Sequence, residues 1–142
     1  MKAISEIRYL KRIEEIDTLI ERIKEDKERW LDIATSITAP MGGERVQTSS
    51  NGKKMENAII NSMGYDDRIV QLNLERLEIL KTIELLPFVE YNLLYMRYVK
   101  RMEYKDIAMM CNKSYSWATS VHGRALQSLK KILGEKKDEI HT

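Results

Sequence analysis

The chain has 142 residues, 43% of them hydrophobic and 32% charged, with a formal net charge of +2. That length holds a single domain, or one small domain with an extended attachment, and the composition supplies enough apolar side chains for a core. One cysteine, Cys111, excludes an internal disulfide and a cysteine-based metal cluster, and no stretch approaches the roughly 18 apolar residues of a membrane span. The opening MKAISEIRYLKRIEEI is charged from its second residue and has no apolar signal core, so a cytoplasmic protein with no membrane contact is expected. Pro and Gly are scarce and no run of alternating apolar residues argues for a sheet, so the expected fold is all-α.

From Lys2 to about Ile37 the pattern is one helix without an internal Gly or Pro. Tyr9, Ile13, Ile16, Ile20, Ile23, Lys27, Trp30, Ala34 and Ile37 recur at alternating spacings of four and three, the seam of a coiled coil broken only at Lys27. A helix of about 36 residues is about 54 Å long and cannot bury such a seam alone. The interleaved charges, among them Glu14, Glu15, Glu21, Glu25 and Glu28 with Arg12, Arg22, Lys24 and Arg29, read as a solvated face rather than a metal or acidic-ligand site.

Ala39-Pro40-Met41-Gly42-Gly43 stops this helix, and GGERVQTSSNGKK reads as a polar loop over about 39–52. It lacks the glycine spacing and the Lys-Ser/Thr pair of a phosphate loop. A hairpin loop is the plain reading, with a partner-binding or DNA-touching arm through Arg45, Lys53 and Lys54 as the alternative. A second long helix is expected from about Lys53 to Leu85, with Ile59, Met63, Val70, Leu77 and Leu80 as its main stripe. Met55, Tyr65, Ile69, Leu72, Ile79 and Ile83 broaden that stripe beyond what one partner helix covers. The remainder would pack on the C-terminal part, on a second copy, or on RNA polymerase, and the residues leave that choice open. Two long helices joined by a short loop suggest an antiparallel hairpin over 1–86, and Pro87 suits the first turn of the next helix.

Residues 87–134 read as a helix-turn-helix of DNA-binding type, followed by a charged tail over 135–142. Leu94, Met96, Tyr98 and Val99 form an apolar run at helical spacing, followed by a short segment ending in DIAMM and a longer one from Ser114 to Leu133. Lys100-Arg101-Met102-Glu103 makes the first connection and Cys111-Asn112-Lys113 the second. Asn112 sits where the motif needs a left-handed backbone, which Gly and then Asn adopt most readily. Ser114 can cap the helix that follows. Ile107, Ala108, Cys111, Ala118, Val121, Ala125 and Leu129 are expected to face inward, and Tyr115, Ser116, Thr119, Ser120, Arg124, Gln127 and Lys131 outward.

Charge separates this motif from a plain three-helix core. Between Tyr91 and Leu133 there are eight basic residues and two acidic ones, a local net charge of +6, whereas residues 1–90 carry 14 basic and 17 acidic side chains, net −3. A compact basic motif gains affinity for a phosphate backbone by releasing counterions, so double-stranded DNA is the expected partner and the C-terminal third the expected surface. Helix-turn-helix proteins read bases with the start of their second motif helix, which assigns Tyr115, Ser116, Thr119 and Ser120 to base edges. Lys113, Arg124, Lys130 and Lys131 are assigned to phosphates, which position the protein without specifying sequence. Trp117 suits an exposed contact or packing on the supporting helix equally. His122 is expected to pack and hydrogen-bond rather than hold a metal, since the only other histidine is His141.

The patterns LLYMRYV and YKDIAMMCNKSYSWATSVHGRALQSLKKIL resemble region four of bacterial sigma factors, with its RY-containing first helix, its (E/D)IA supporting helix and its AL-containing recognition helix. The whole chain is similar to the phage-encoded late-transcription regulators of Gram-positive bacteria related to the ArpU and RinA regulators. The similarity includes the segment ITAPMGGERVQTSSNGKKMENAI and the HG-x-AL sequence at His122 to Leu126, and it spans about Arg29 to Leu133. It implies a regulator of phage or prophage late genes that acts with host RNA polymerase in a bacterial cell. One departure is that Tyr115 and Ser116 stand where sigma factors usually present an Arg-Glu pair, which argues against reading a standard minus-35 promoter element.

The chain offers no Ser/His/Asp or Cys/His arrangement, no paired carboxylates in an apolar setting and no nucleotide-binding loop. No enzymatic activity, cofactor or metal site is expected. Three readings remain: a sequence-specific transcriptional activator, a DNA-packaging protein of small-terminase type, and a helical protein–protein adaptor. A homo-oligomer is compatible with all three.

Overall fold

The computed structural model describes residues 4–38 and 48–141, and every element among them is helical. Five α-helices follow in chain order: α1 (Ile4–Thr38), α2 (Thr48–Ile83), α3 (Phe88–Leu94), α4 (Tyr104–Met110) and α5 (Tyr115–His141). A π-helical turn, Tyr95–Val99, prolongs α3. Among the described residues no helix is long and apolar enough to cross a membrane.

The helices form two compact units, one of Met1–Ile16 with Glu75–Thr142 and one of Asp17–Leu74. The division therefore cuts both long helices, instead of falling at residue 86 as chain order suggests. Its cause is visible in the core of the first unit. Helices of seven residues, as α3 and α4 are, have too little apolar surface to close a core with α5 alone. Leu10 from the start of α1, and Ile83 and Leu86 from the end of α2 and the turn after it, join Leu93, Leu94, Ile107, Val121, Ala125 and Leu129 in one buried cluster. Within this unit Arg12 grips Glu75 in a two-pronged ion pair, Nε to Oε2 at 2.6 Å and Nη2 to Oε1 at 3.1 Å. Lys136 Nζ donates to the buried Thr82 Oγ1 at 2.6 Å, tying α5 to α2.

In the second unit the expected seam of α1 faces inward. Ile20 is buried, and Ile23, Lys27, Trp30 and Ala34 are half-buried. The polar break at Lys27 is met by Asp66 of α2, with Nζ to Oδ1 at 2.7 Å, and Trp30 Nε1 donates to Tyr65 Oη at 3.0 Å. Ile37 and Arg45 lie outside the described side chains.

Three boundaries differ from the sequence reading. The second helix begins at Thr48 rather than near Lys53, so Asn51-Gly52 continues a helix instead of closing a loop, and Lys53 and Lys54 are exposed helical positions. The rest of the expected loop, 39–47, lies outside the described residues. Pro87 is the residue before the first turn of α3, with φ −53° and ψ 147°, and its carbonyl accepts from Tyr91 N–H at 2.9 Å. The expected tail is helical through His141, because Gly134 sits inside α5 without ending it.

The stripe on α2 is also corrected. Tyr65, Ile69, Leu72, Ile79 and Ile83 are the half-buried or buried set, whereas Ile59, Met63, Val70 and Leu77 are 45–62% exposed. Both rows are apolar at helical spacing, so periodicity alone does not say which one meets α1.

Candidate nucleic-acid interface

The apolar run ending α3 is wound more loosely than an α-helix. Lys100 N–H reaches Tyr95 O at 3.1 Å, and Met102 N–H reaches Met96 O at 3.0 Å across Arg101, whose φ is 58°. The chain thereby turns toward α4 without leaving these donors unmade. Arg97 fixes the same corner. Its Nη1 donates to Met102 O at 3.0 Å, and its guanidinium lies 4.4 Å from the centre of the Tyr104 ring. This arginine, counted in the basic excess, is thus engaged in holding the corner.

The second corner has the geometry that its residues imply. Asn112 has φ 57°, Lys113 N–H bonds Ala108 O at 2.8 Å, and Asn112 N–H bonds Met109 O at 3.2 Å. Those two bonds are the paired closure of a Schellman motif, in which a left-handed residue satisfies the last carbonyls of a helix. Ser114 Oγ then accepts the Trp117 N–H at 3.0 Å and caps α5. Ile107, Ala108, Ala118, Val121, Ala125 and Leu129 are buried, and Cys111 is half-buried against them.

The turn and cap therefore fix which face of α5 meets solvent. At 100° per residue, Ser116, Thr119, Ser120, Arg124, Gln127, Lys130 and Lys131 fall within an arc of about 140°. All are exposed except Thr119, which is half-buried, its hydroxyl donating to Ser116 O at 3.0 Å. Tyr115 lies at the edge of this face, 58% exposed, and stands edge-on to Tyr104 with ring centroids 6.0 Å apart. The residues assigned to bases occupy the first turns of α5 and the cations Arg124, Lys130 and Lys131 the later ones. Lys113, exposed in the turn, holds its ammonium 6.0 Å from the Trp117 ring centre. Trp117 is half-buried against the core.

No protein-family model, curated protein or solved structure matches the chain.

Beneath this face of α5 lies a polar cluster in which His122 packs and hydrogen-bonds as expected, with a partner, Tyr98, that the sequence does not single out. Tyr98 Oη and His122 Nε2 are 2.7 Å apart in the core, with the rings stacked at 5.8 Å and Tyr104 edge-on to His122 at 5.4 Å. Burial, and secondarily the charge of Arg97, lowers the His122 pKa. Burial, reinforced by Tyr104 and opposed by Arg97, pushes Tyr98 up to about 12. The phenol thus keeps its proton and the imidazole stays neutral, and the two share one hydrogen bond. No group of three or more His, Cys, Asp or Glu that could hold a metal occurs among the described residues.

These two pKa shifts bound the stable range. A histidine with a depressed folded pKa contributes stability that is present above its unfolded value near 6.5 and lost as pH falls through the folded value. A tyrosine with a raised pKa contributes stability that is present below about 10 and lost as pH rises through about 12. Thermal melts should therefore give a plateau between about pH 7 and 10 with a decline on either side. An unchanged melting temperature from pH 7 to about 5 would contradict the neutral His122 assignment.

Proposed function

We propose that this protein is a sequence-specific DNA-binding transcriptional regulator of phage or prophage late genes, acting with host RNA polymerase as an activator. In this reading α4 and α5 form a sigma-region-four-like helix-turn-helix, attached to a long antiparallel hairpin made by α1 and α2. The observation that carries the reading is the turn from Cys111 to Ser114. It leaves a face of small hydroxyl side chains at the start of α5, followed on the same face by cations.

Ser116 and Ser120, with Tyr115 and Thr119 beside them, are short enough for the helix to approach the floor of a major groove, which is about 12 Å wide. Arg124, Lys130, Lys131 and Lys113 then supply the phosphate contacts that hold the helix in place. Sequence resemblance adds the late-gene context and the polymerase.

Mobility-shift titrations against tiled fragments of the encoding phage or prophage, at two salt concentrations, test the proposal. Retention of one fragment upstream of structural genes, surviving the higher salt, is expected. Equal retention of all fragments that vanishes with salt would overturn sequence-specific regulation and move a packaging role ahead. No retention at low salt would leave a protein–protein adaptor.

A further inference from the structure

The first nine residues of α5, Tyr115 to Gly123, include no Arg, Lys, Asn, Gln, Asp or Glu. Bidentate recognition of guanine takes Arg or Lys, and that of adenine takes Asn or Gln, so these turns can read neither purine in that way. Arg124, the first forked side chain on the face, stands about 12 Å further along the helix axis than Ser116. Lys113, in the turn before the helix, holds its ammonium 6.0 Å from the centre of the Trp117 ring.

What the face does carry falls into two strips. Ser116 and Ser120 make one, both exposed and four residues apart. Tyr115 and Thr119 make the other, about 100° round the helix. The Tyr115 ring is 58% exposed and stands edge-on to Tyr104 with centroids 6.0 Å apart, which limits its swing. Thr119 commits its hydroxyl proton to Ser116 O at 3.0 Å, so its methyl is the group that distinguishes it from the serines beside it. Each serine hydroxyl meets a polar atom of a base edge at one point. An aromatic ring and a threonine methyl are complementary instead to the one apolar group in the major groove, the C5-methyl of thymine.

We propose that Tyr115 and Thr119 read thymine C5-methyl groups, so that the operator places thymines, not bidentately read guanines, under the first turns of α5. The inference deepens the DNA-binding reading above and rests on it. Residues four apart on a helix are separated by about 6 Å along its axis, and stacked base pairs by about 3.4 Å, so the strip spans neighbouring pairs. Burying one methyl changes affinity by about four-fold, and burying two by about 15-fold.

The test uses the full chain. Selection from a pool of random duplexes should enrich one site that contains thymines. Deoxyuridine placed at those thymines one at a time removes the methyl and keeps the base pair, and it should weaken binding about four-fold at each contacted position. Thr119→Ser keeps the hydroxyl and removes only the methyl. It should lose the same factor on the thymine site and become indifferent to deoxyuridine at one position. Thr119→Val keeps the methyl and removes the hydroxyl, and it should respond to deoxyuridine as the wild type does. An enriched site that ignores deoxyuridine at every thymine overturns the proposal and leaves sequence-specific binding in place. Thr119→Ser with every deoxyuridine response intact overturns it equally. A pool from which no sequence is enriched overturns sequence-specific binding, and this inference with it.

Discussion

Replacing Leu129 with alanine lowers the unfolding free energy by about 3–5 kcal/mol, the upper part of the range for a fully buried leucine. Leu129 has no solvent exposure and belongs to the cluster that joins α3, α4 and α5 with the ends of the long helices. Removing three of its carbons forfeits their transfer free energy and leaves a cavity that rigid neighbours close only in part. Because natural proteins are stable by only about 5–15 kcal/mol, the loss is a large fraction of the whole. It should lower the melting temperature by roughly 10 °C or more. Lys130→Ala, one residue away but exposed, should stay within about 0.5 kcal/mol of the wild type.

That contrast also separates folding from binding. Leu129→Ala should regain DNA affinity when assayed well below its melting temperature, because the residue reaches the ligand only through the fold. Lys130→Ala should leave melting unchanged and weaken binding at every temperature. Equal melting of the two variants by calorimetry would show that the core is not organised around α5 in the way its burial implies.

The parts of this structure that were legible in the sequence are those whose chemistry is local. Asn112 announces a left-handed residue and Ser114 a cap because one side chain and one or two backbone groups decide the outcome, and both appear in the Schellman closure and the Trp117 bond. The seam of α1 was legible because its alternating spacing has a single apolar face. Even its break at Lys27 is resolved by an ion pair to Asp66.

What was not legible depends on competition between distant surfaces. The second long helix has apolar rows on two sides, and only packing against α1 shows that Leu72 and its neighbours are covered while Val70 is exposed. Asn51-Gly52 has the composition of a turn but continues a helix, since local propensity is a weak prior against the extension of a long element. The π-helical turn gives no sequence signal at all. Its bonds from Lys100 and Met102 are held in place by Arg97, a residue that composition counts simply as one more cation. The Tyr98–His122 pair was half legible: the histidine was expected to bond inward, but its partner lies 24 positions earlier and on another element.

Removing both Arg124 and Lys131 should weaken DNA binding by about 100-fold at moderate salt while leaving the preferred sequence unchanged. The two residues stand seven positions apart, two helical turns or about 10.5 Å along the same face of α5, so each can meet its own phosphate. Each neutralised phosphate contributes about 0.9 to the slope of log affinity against log salt, and the double variant should flatten that slope by nearly 2. The hydroxyl face should respond in the opposite manner. Ser116→Ala and Ser120→Ala leave the charge intact, so the salt slope should stay constant while the ranking of operator variants changes by about 1–3 kcal/mol per affected base pair. Binding titrations over a salt series, on a preferred site and on point variants of it, measure both quantities together. If all four substitutions altered the slope and the ranking alike, the division between phosphate-holding and base-reading positions on α5 would be wrong. If the double variant kept the wild-type slope, the cations that hold the phosphates would have to lie elsewhere, with exposed Lys113 and Lys130 the next to test.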